Sequence, residues 1–346
     1  MKYSTTIGVD LAKHVIQVCI TRKGKIISNR EMTAESFQCF LATQKPSRII
    51  FETCATSNYW KQEALSKGHD AHLISAKLVS QIRQNQKTDK NDALAIVQAS
   101  QLIGIHFIQG KSFDQQELQS INRMRDLAIK QKVSINNQLI ALLLEFGIRT
   151  SNKKGGINAI VPAVLESVEY DFSYELKAAL YETWQSYLTL VSSIQKYDEL
   201  LNERVGKIPD CKKLMALEGV STINAVNLYI TLSCSQDSVF QNARDASASL
   251  GLTPVQHSSG GNVTIGSITK RVKDGARRSK LISGAMAYIQ QVCRRDPRTT
   301  KEVWLKALIE RRGMKCAAVA LANKTVRTAF AMLRDGTEYQ AQALAA

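Results

Sequence analysis

Hydrophobic and polar positions alternate with two different periods along the chain, which divides it into segments. In the first hundred residues, short apolar runs rich in β-branched residues predict strands over residues 3–11, 14–21, 26–32, 48–52 and 71–74. Helical spacing and capping residues predict helices over residues 34–42, 57–67 and 76–84. A hairpin of strands followed by strand–helix units is typical of an α/β fold, in which helices cover a mixed sheet.

The rest of the chain follows a helical period. Residues 113–146 contain neither proline nor glycine, and their apolar positions recur every three or four residues; residues 174–205 form a second such stretch. Two long helices predict an antiparallel hairpin or coiled coil, although an ordinary helical bundle has the same pattern. From residue 212 onward the pattern predicts shorter helices, including a helix-hairpin-helix-like element around residues 214–232.

Charge indicates the class of partner. The net charge of +16 is uneven: residues 1–110 carry 14 basic and 8 acidic side chains, residues 111–210 carry 12 and 13, and residues 211–346 carry 20 and 9. Two basic segments joined by a neutral one favour binding to nucleic acid, although a basic surface can also serve solubility alone. No apolar run is long enough to cross a membrane and no signal peptide pattern precedes the first strand, so we expect a cytoplasmic protein without a membrane partner.

Four acidic residues are candidates for a metal centre. Asp10 and Glu52 end two predicted strands, and Asp89 and Asp92 lie three residues apart where a helix is predicted to begin. Carboxylates gathered at one edge of a sheet repel one another unless a cation joins them, and Mg²⁺ prefers such oxygen ligands. Each acid has a simpler explanation by itself, since Asp89 can cap a helix and Glu52 can be a solvated charge at a strand end.

A serine-rich segment and the basic segment after it are the second candidate. Ser258 and Ser259 precede a pair of glycines, which predicts an exposed, flexible loop that a phosphate could approach; a plain Ser/Gly loop without chemistry is the alternative. Residues 267–280 then hold six basic side chains that could contact phosphates or simply form a solvated face: Lys270, Arg271, Lys273, Arg277, Arg278 and Lys280.

These motifs together resemble one family, the DEDD transposases of bacterial insertion sequences, which are related to Piv-type DNA invertases. The resemblance rests on residues 8–13 (GVDLAK), 51–56 (FETCAT) and 87–93 (KTDKNDA), and in the second half on residues 250–254 (LGLTP), 259–260 (SG) and 268–270 (ITK). These motifs occur in the order and with the rough spacing of the family, and the resemblance covers nearly the whole chain.

The resemblance implies a fold and a mechanism. Residues 1–110 would form a RuvC-like, ribonuclease H-type domain, residues 111–210 a coiled-coil spacer for oligomerisation, and residues 211–346 a mainly helical transposase domain. The acids Asp10, Glu52, Asp89 and Asp92 would bind Mg²⁺, and Ser259 would be the nucleophile that forms a phosphoserine link to DNA.

The same resemblance implies the partners. A structured guide RNA encoded by the element would pair with double-stranded donor and target DNA, which would leave the protein to recognise shape and phosphate. Homodimers would pair into a homotetramer, in which each active site combines the RuvC-like domain of one subunit with the serine domain of another.

Two positions depart from the family pattern. The turn of the helix-hairpin-helix-like element reads Glu218-Gly219-Val220-Ser221 instead of Pro-Gly-Ile-Gly, and Val272 stands where a glycine is expected. We expect Glu218 to add a repulsive charge near any phosphate. The alternatives to a recombinase are a RuvC-like, structure-selective nuclease without a covalent intermediate, and a non-catalytic scaffold that binds nucleic acid.

Overall fold

The computed structural model of the chain describes residues 4–108, 110–150, 155–167, 169–232, 240–269 and 275–344. The chain divides into two compact units, the first built from residues 1–112 and 232–246 and the second from residues 113–231 and 247–346. The predicted combination of an N-terminal α/β part and a mostly helical remainder is confirmed. Within the described ranges, no helix is both long enough and apolar enough to span a membrane.

A five-stranded sheet forms the centre of the first unit. Its strands are β1 (Thr5–Leu11), β2 (Ile16–Arg22), β3 (Lys25–Met32), β4 (Arg48–Glu52) and β5 (Asp70–Ile74), in the spatial order β3-β2-β1-β4-β5. The first three strands pair antiparallel, whereas β4 lies parallel to both β1 and β5. The predicted mixed sheet is therefore present, with each strand close to its predicted position.

Helices cover both faces of this sheet. They are α1 (Ala34–Thr43), α2 (Ser57–Ser66), α3 (Ala76–Ile82) and α4 (Asp89–Ser100). Ile7 and Val9 of β1 pack with Phe37 of α1 and Trp60 of α2 in one core cluster. Because side chains alternate along a strand, the other face of the sheet packs separately against α3 and α4. Burial on both faces explains why the central strands read as continuous apolar runs.

Two long antiparallel helices dominate the first part of the second unit. These helices are α5 (Phe113–Glu145) and α7 (Tyr174–Lys207), with the short α6 (Ile157–Glu166) between them. Arg125 donates to Asp198 at 2.5 Å, and Arg204 donates to Glu117 at 2.8 Å. Since residues early in α5 meet residues late in α7, the two helices run in opposite directions, as the hairpin prediction required.

Shorter helices and one hairpin complete the second unit. The helices are α8 (Pro209–Leu214), α9 (Thr222–Leu232), α10 (Ala243–Ser249), α11 (Gly275–Val292) and α12 (Thr300–Asp335). Residue 232 of α9 and residues 243–246 of α10 belong to the first unit, and the non-helical backbone of Gly313 divides the 36 residues of α12 into two shorter helices. The serine-rich segment, predicted as a flexible loop, is instead a β-hairpin of β6 (Pro254–Ser259) and β7 (Asn262–Ile268). Both glycines between these strands have positive φ, at 55° and 82°, which is the conformation of a tight two-residue hairpin turn.

The turn between α8 and α9 packs into the protein. A Cβ on Gly219 would lie 2.7 Å from the carbonyl oxygen of Gly284 in α11, so the backbones of these two glycines are in direct contact. The neighbouring Glu218 is 8% exposed; it accepts a hydrogen bond of 2.6 Å from Lys301 and another from the Tyr339 hydroxyl. The expectation that Glu218 would repel a phosphate is therefore wrong, because its charge is buried and paired with a lysine.

A second buried carboxylate, Glu302, anchors the start of α12. The carboxylate accepts hydrogen bonds from the Arg295 guanidinium at 2.6 Å and 3.0 Å, from the Tyr288 hydroxyl at 2.6 Å and from the backbone N–H of Arg298 at 2.6 Å. The hydrogen bonds from Arg295 contribute most to lowering the pKa of Glu302 from 4.5 to about 2, although burial opposes them.

We expect Glu302→Gln to reduce the free energy of unfolding by about 3 kcal/mol at pH 7, because this buried position loses the anion that accepts hydrogen bonds from Arg295, Tyr288 and the backbone of Arg298. The folded-state pKa lies below the unfolded value, so the stabilisation is complete above about pH 4.5 and disappears as the pH falls towards about 2. Urea unfolding of the wild type and of Glu302→Gln across this pH range measures the difference between their free energies of unfolding. Glu310→Gln, on an exposed position of the same helix, is the control, and an equal loss at pH 7 and pH 3 would contradict the assignment.

Candidate metal centre and serine hairpin

Two of the four candidate acids lie at the carboxyl ends of neighbouring strands. Asp10 is the penultimate residue of β1, and Glu52 is the last residue of β4. Because β1 and β4 are adjacent and parallel, both carboxylates belong to the same edge of the sheet. Each of these residues is half-buried.

The other two acids occupy the first turn of α4. The Thr88 side chain caps this helix by accepting a hydrogen bond from the backbone N–H of Asn91. Asp89 is exposed, whereas Asp92 is 8% exposed and accepts a hydrogen bond of 2.7 Å from the Arg83 guanidinium. The predicted helix start therefore holds both acids, but Asp92 already has a cationic partner.

Gly8 allows α4 to approach β1. A Cβ at this position would lie 2.4 Å from the carbonyl oxygen of Ala93 and 2.7 Å from a methyl group of Val97. Both neighbours belong to α4, so any larger residue would displace the helix that carries Asp89 and Asp92. This contact gives the glycine of the Ile-Gly-Val-Asp motif a physical role two residues before Asp10.

A short chain of hydrogen bonds from β2 and β3 also holds the beginning of α4. Gln17, which lies opposite Asp10 across the β1–β2 pair, donates to Asn29 at 2.7 Å, and Asn29 donates to the carbonyl oxygen of Lys90 at 2.9 Å. The fully buried Gln17 and the strand it belongs to therefore position the first turn of the helix relative to Asp10.

The four acids share one electrostatic environment. Burial raises the pKa of Asp10, and repulsion from Asp92 and Asp89 raises it further. Burial also raises the pKa of Glu52, with repulsion from Asp10 and Asp92 adding to the effect. Lys87 opposes both shifts. Carboxylates that destabilise one another in this way are stabilised by a cation between them.

The donor set fits a hard divalent cation, but the side chains are not closed around one. In the described part of the chain, no three acidic, histidine or cysteine side chains are close enough together to enclose a metal ion. Four carboxylates from β1, β4 and α4 nevertheless provide the oxygen ligands that Mg²⁺ prefers. One carboxylate oxygen of Asp92, Oδ1, accepts the hydrogen bond from Arg83.

Ser258 and Ser259 lie at the tip of the β6–β7 hairpin. Ser259 pairs with Asn262 on either side of the two-glycine turn. Because side chains alternate along β6, Ser259 shares a face with His257, whereas Ser258 shares the opposite face with Val263. Every residue of both strands except Ile268 is exposed, so the serine hydroxyls are accessible.

Arg278 holds the base of this hairpin. Its guanidinium donates to the carbonyl oxygen of Thr269 at 2.5 Å and to that of Gly251 at 3.3 Å. Gly251 lies three residues before β6 and Thr269 directly follows β7, so one side chain from the first turn of α11 joins the two ends of the hairpin. This role was not predictable from the basic cluster alone.

Two of the other basic candidates donate hydrogen bonds within the protein. Arg277 donates to the Thr231 hydroxyl at 2.9 Å, and Lys280 donates to both carboxylate oxygens of Asp126 at 2.6 Å. Their contact with DNA remains a prediction. Lys270, Arg271 and Lys273 lie outside the described residues.

Sequence reasoning missed four residues that support the acidic cluster: Gly8, Gln17, Asn29 and Arg83. It named Arg278 for contact with phosphate but not for its role at the base of the hairpin. Only Gly8 had a sequence signal, because an isolated glycine within a strand indicates close backbone approach. The others act through contacts between different elements.

Comparison with known proteins gives the same family for both halves of the chain. Residues 7–148 match the IS110-type DEDD family described as "Transposase", and residues 211–301 match the "Transposase IS116/IS110/IS902 family". The transposase for insertion sequence element IS1111A of Coxiella burnetii is 32% identical over 98% of this chain and 92% of its own length. The transposase for IS1328 of Yersinia enterocolitica is 30% identical, covering 97% of this chain and 98% of its own length.

We expect Gly8→Ala to lower the free energy of unfolding by about 1–3 kcal/mol, because the new methyl group overlaps the backbone of α4. Urea unfolding measures this loss. Gly206→Ala is the matched control, since a Cβ there meets no atom within 4 Å. Equal stability of Gly8→Ala and the wild type would contradict the proposed role of close packing.

We expect Arg278→Ala to release the base of the hairpin. Amide hydrogen exchange in residues 252–268 should become faster by about tenfold or more, because a two-stranded hairpin has little stability by itself. Arg294→Ala, an exposed arginine of the same unit, should leave this exchange unchanged. If both variants give the same exchange in the hairpin, Arg278 does not hold it.

Proposed function

Because the chain belongs to the IS110/IS116 family of insertion-sequence transposases, enzymes that cut and rejoin DNA, we propose that it recombines DNA through a phosphoserine intermediate at Ser259. The observation that carries this proposal is the exposed position of Ser259 beside the turn of a hairpin with a clamped base. A nucleophile on a short, fixed projection can reach a phosphodiester without unfolding its own unit.

The acidic cluster would hold the divalent metal that this family typically uses, and we expect Mg²⁺. Asp10, Glu52, Asp89 and Asp92 would be its ligands, and the bound ion would activate the serine hydroxyl and offset the charge of the scissile phosphate. The raised pKa values of Asp10 and Glu52 support this assignment. Arg83, once released from Asp92, would find an anionic partner in the DNA backbone.

The covalent step conserves the phosphodiester bond energy. The Ser259 Oγ forms a bond to phosphorus while the bond from phosphorus to the 3′-oxygen breaks. The serine proton passes to a base, for which His257 on the same hairpin face is a candidate, and the departing 3′-oxygen takes up a proton. Rejoining reverses these transfers with a different 3′-hydroxyl, so no external energy source is required.

The finer fold and the assembly are part of the proposal. The first unit would be RuvC-like and the α5–α7 pair a coiled coil, with domains over residues 1–110, 111–210 and 211–346. Homodimers would pair into a homotetramer whose active sites combine the acids of one subunit with the serine of another. The exposure of Val263 (58%) and Ile265 (69%) on one hairpin face supports a covering partner, because an isolated two-stranded hairpin is marginally stable in water.

Nucleic acid partners follow from the charge and the family. The basic segments at both ends of the chain are suited to phosphate backbones. A structured guide RNA that pairs with donor and target DNA would supply the sequence specificity, while Arg277, Arg278 and Lys280, together with Lys270, Arg271 and Lys273, would contact phosphates of the double-stranded DNA.

The test is the covalent adduct. We expect Ser259→Ala to reduce both the denaturant-resistant protein–DNA adduct and strand transfer by about 1,000-fold or more, because no other group replaces the nucleophile. End-labelled donor DNA, the element's RNA and Mg²⁺ provide the assay. Ser258→Ala, on the opposite hairpin face, is the matched control and should retain both activities.

Other outcomes identify the alternatives. If Ser259→Ala still cleaves DNA while Asp10→Asn does not, the protein is a RuvC-like nuclease that uses water. If the wild type shows no metal-dependent strand transfer and Asp10→Asn still binds nucleic acid, the chain is a scaffold that binds nucleic acid without catalysis.

A further inference from the structure

A cavity of about 480 Å³ opens near the carboxyl ends of β1 and β4 in the first unit. Its walls come from the loop after β1, the loop after β4 and the beginning of α2. Leu11, which lines the cavity, directly follows Asp10, and Cys54, which also lines it, lies two residues after Glu52. The cavity is therefore at the carboxyl edge of the sheet, where the two strand-end acids also lie. It opens on the opposite face, because Leu11, Ile16 and Trp60 belong to the core on the α1–α2 side, whereas Asp10 follows Gly8 on the side that faces α4.

The lining of the cavity is mostly aromatic and aliphatic, with a lysine and a histidine among its exposed residues. Trp60 is 7% exposed and packs edge-on against Phe37, which fixes its ring. Tyr59 contacts Trp60 edge-on with ring centroids 5.1 Å apart, yet it is 50% exposed. Lys13 and His14 are exposed lining residues. A volume of this size falls in the usual range for small-ligand sites, about 300–1,000 Å³.

This combination suits a flat aromatic group that is attached to an anion. An aromatic side chain with half its surface in solvent gains by stacking on a planar ring, as bases do on aromatic side chains in single-stranded nucleic acid complexes. A lysine at the margin of the cavity can neutralise the attached phosphate. A phosphate alone would leave the apolar lining without a partner.

We propose that this cavity, lined by Tyr59, Trp60 and Lys13, binds one nucleobase of the substrate DNA, unstacked from the duplex beside the phosphodiester that is cut. This inference rests on the proposed function for the location of the DNA, since the acids at the same edge of the sheet would act on that strand. Stacking on Tyr59 would offset in part the free energy that is needed to unpair the base. The cavity would thereby fix the register of the strand relative to the acidic cluster.

The experiment is a double-mutant cycle between the protein and the DNA. The full chain carrying Ser259→Ala, assembled with the element's RNA, binds donor DNAs that each contain one abasic nucleotide near the cleavage position. We expect Tyr59→Ala to weaken binding of intact DNA by about tenfold. At one abasic position Tyr59→Ala should cause no further loss, because the base that it contacts is already absent.

Matched variants separate stacking from other effects. Tyr59→Phe should keep the affinity, since it keeps the ring, and Tyr181→Ala, which removes an equally exposed tyrosine (51%) from α7, should have no effect. Ala55→Phe changes an exposed loop residue that lines the cavity and should weaken binding by filling it. This last variant tests the cavity without removing any aromatic contact of the core.

Three results would overturn the proposal. One is a Tyr59→Ala loss that is equal at every abasic position. Another is unchanged affinity in both Tyr59→Ala and Ala55→Phe. The third is coupling to an abasic position in the RNA but to none in the DNA. Because the experiment measures binding, it tests the base-binding cavity separately from the phosphoserine mechanism. If Tyr59 couples to one DNA base but the wild type forms no serine adduct, the result supports the cavity and contradicts the phosphoserine mechanism.

Discussion

The contact between α4 and β1 at Gly8 is the constraint on which the acidic cluster depends. A helix that starts with two acids can approach a strand that ends with one only where the strand lacks a side chain at the crossing point. The approach brings like charges together, and their repulsion appears in the raised pKa values of Asp10 and Glu52. The core packing of the first unit thus maintains an arrangement that electrostatics alone would oppose.

In the second unit, by contrast, the buried carboxylates are paired with cations. Its buried carboxylates, Glu218 and Glu302, each have a cation and a tyrosine hydroxyl as partners. Such satisfied groups define how the helices pack and leave little charge for a ligand. A buried acid with cationic and hydroxyl partners is explained by structure, whereas acids that repel one another at a sheet edge call for a cation as a functional explanation.

The residues proposed to contact DNA are more exposed than the residues that hold them in place. Ser259 and Tyr59 are open to solvent, while Arg278 and Trp60 hold the segments that carry them. A rigid base with an accessible tip is suited to a reaction on a large, stiff substrate, because the substrate cannot enter a deep cleft. The proposed base-binding cavity is likewise open at the surface of the unit, at the sheet edge that carries Asp10 and Glu52.

The periodicity of the chain determined the strands, the long helices and the positions of all four acids in their elements, because these features depend on local alternation and capping. Only the tertiary structure decided that Glu218 is buried against Lys301 and that Arg278 joins the two ends of the hairpin, because these contacts form between separate elements. The hairpin itself is local: its strands are joined by two glycines, which sequence reasoning interpreted as a flexible loop instead of a tight turn. A side chain's charge is readable locally, but whether it faces solvent, a counter-ion or a backbone carbonyl is set by what the fold packs against it.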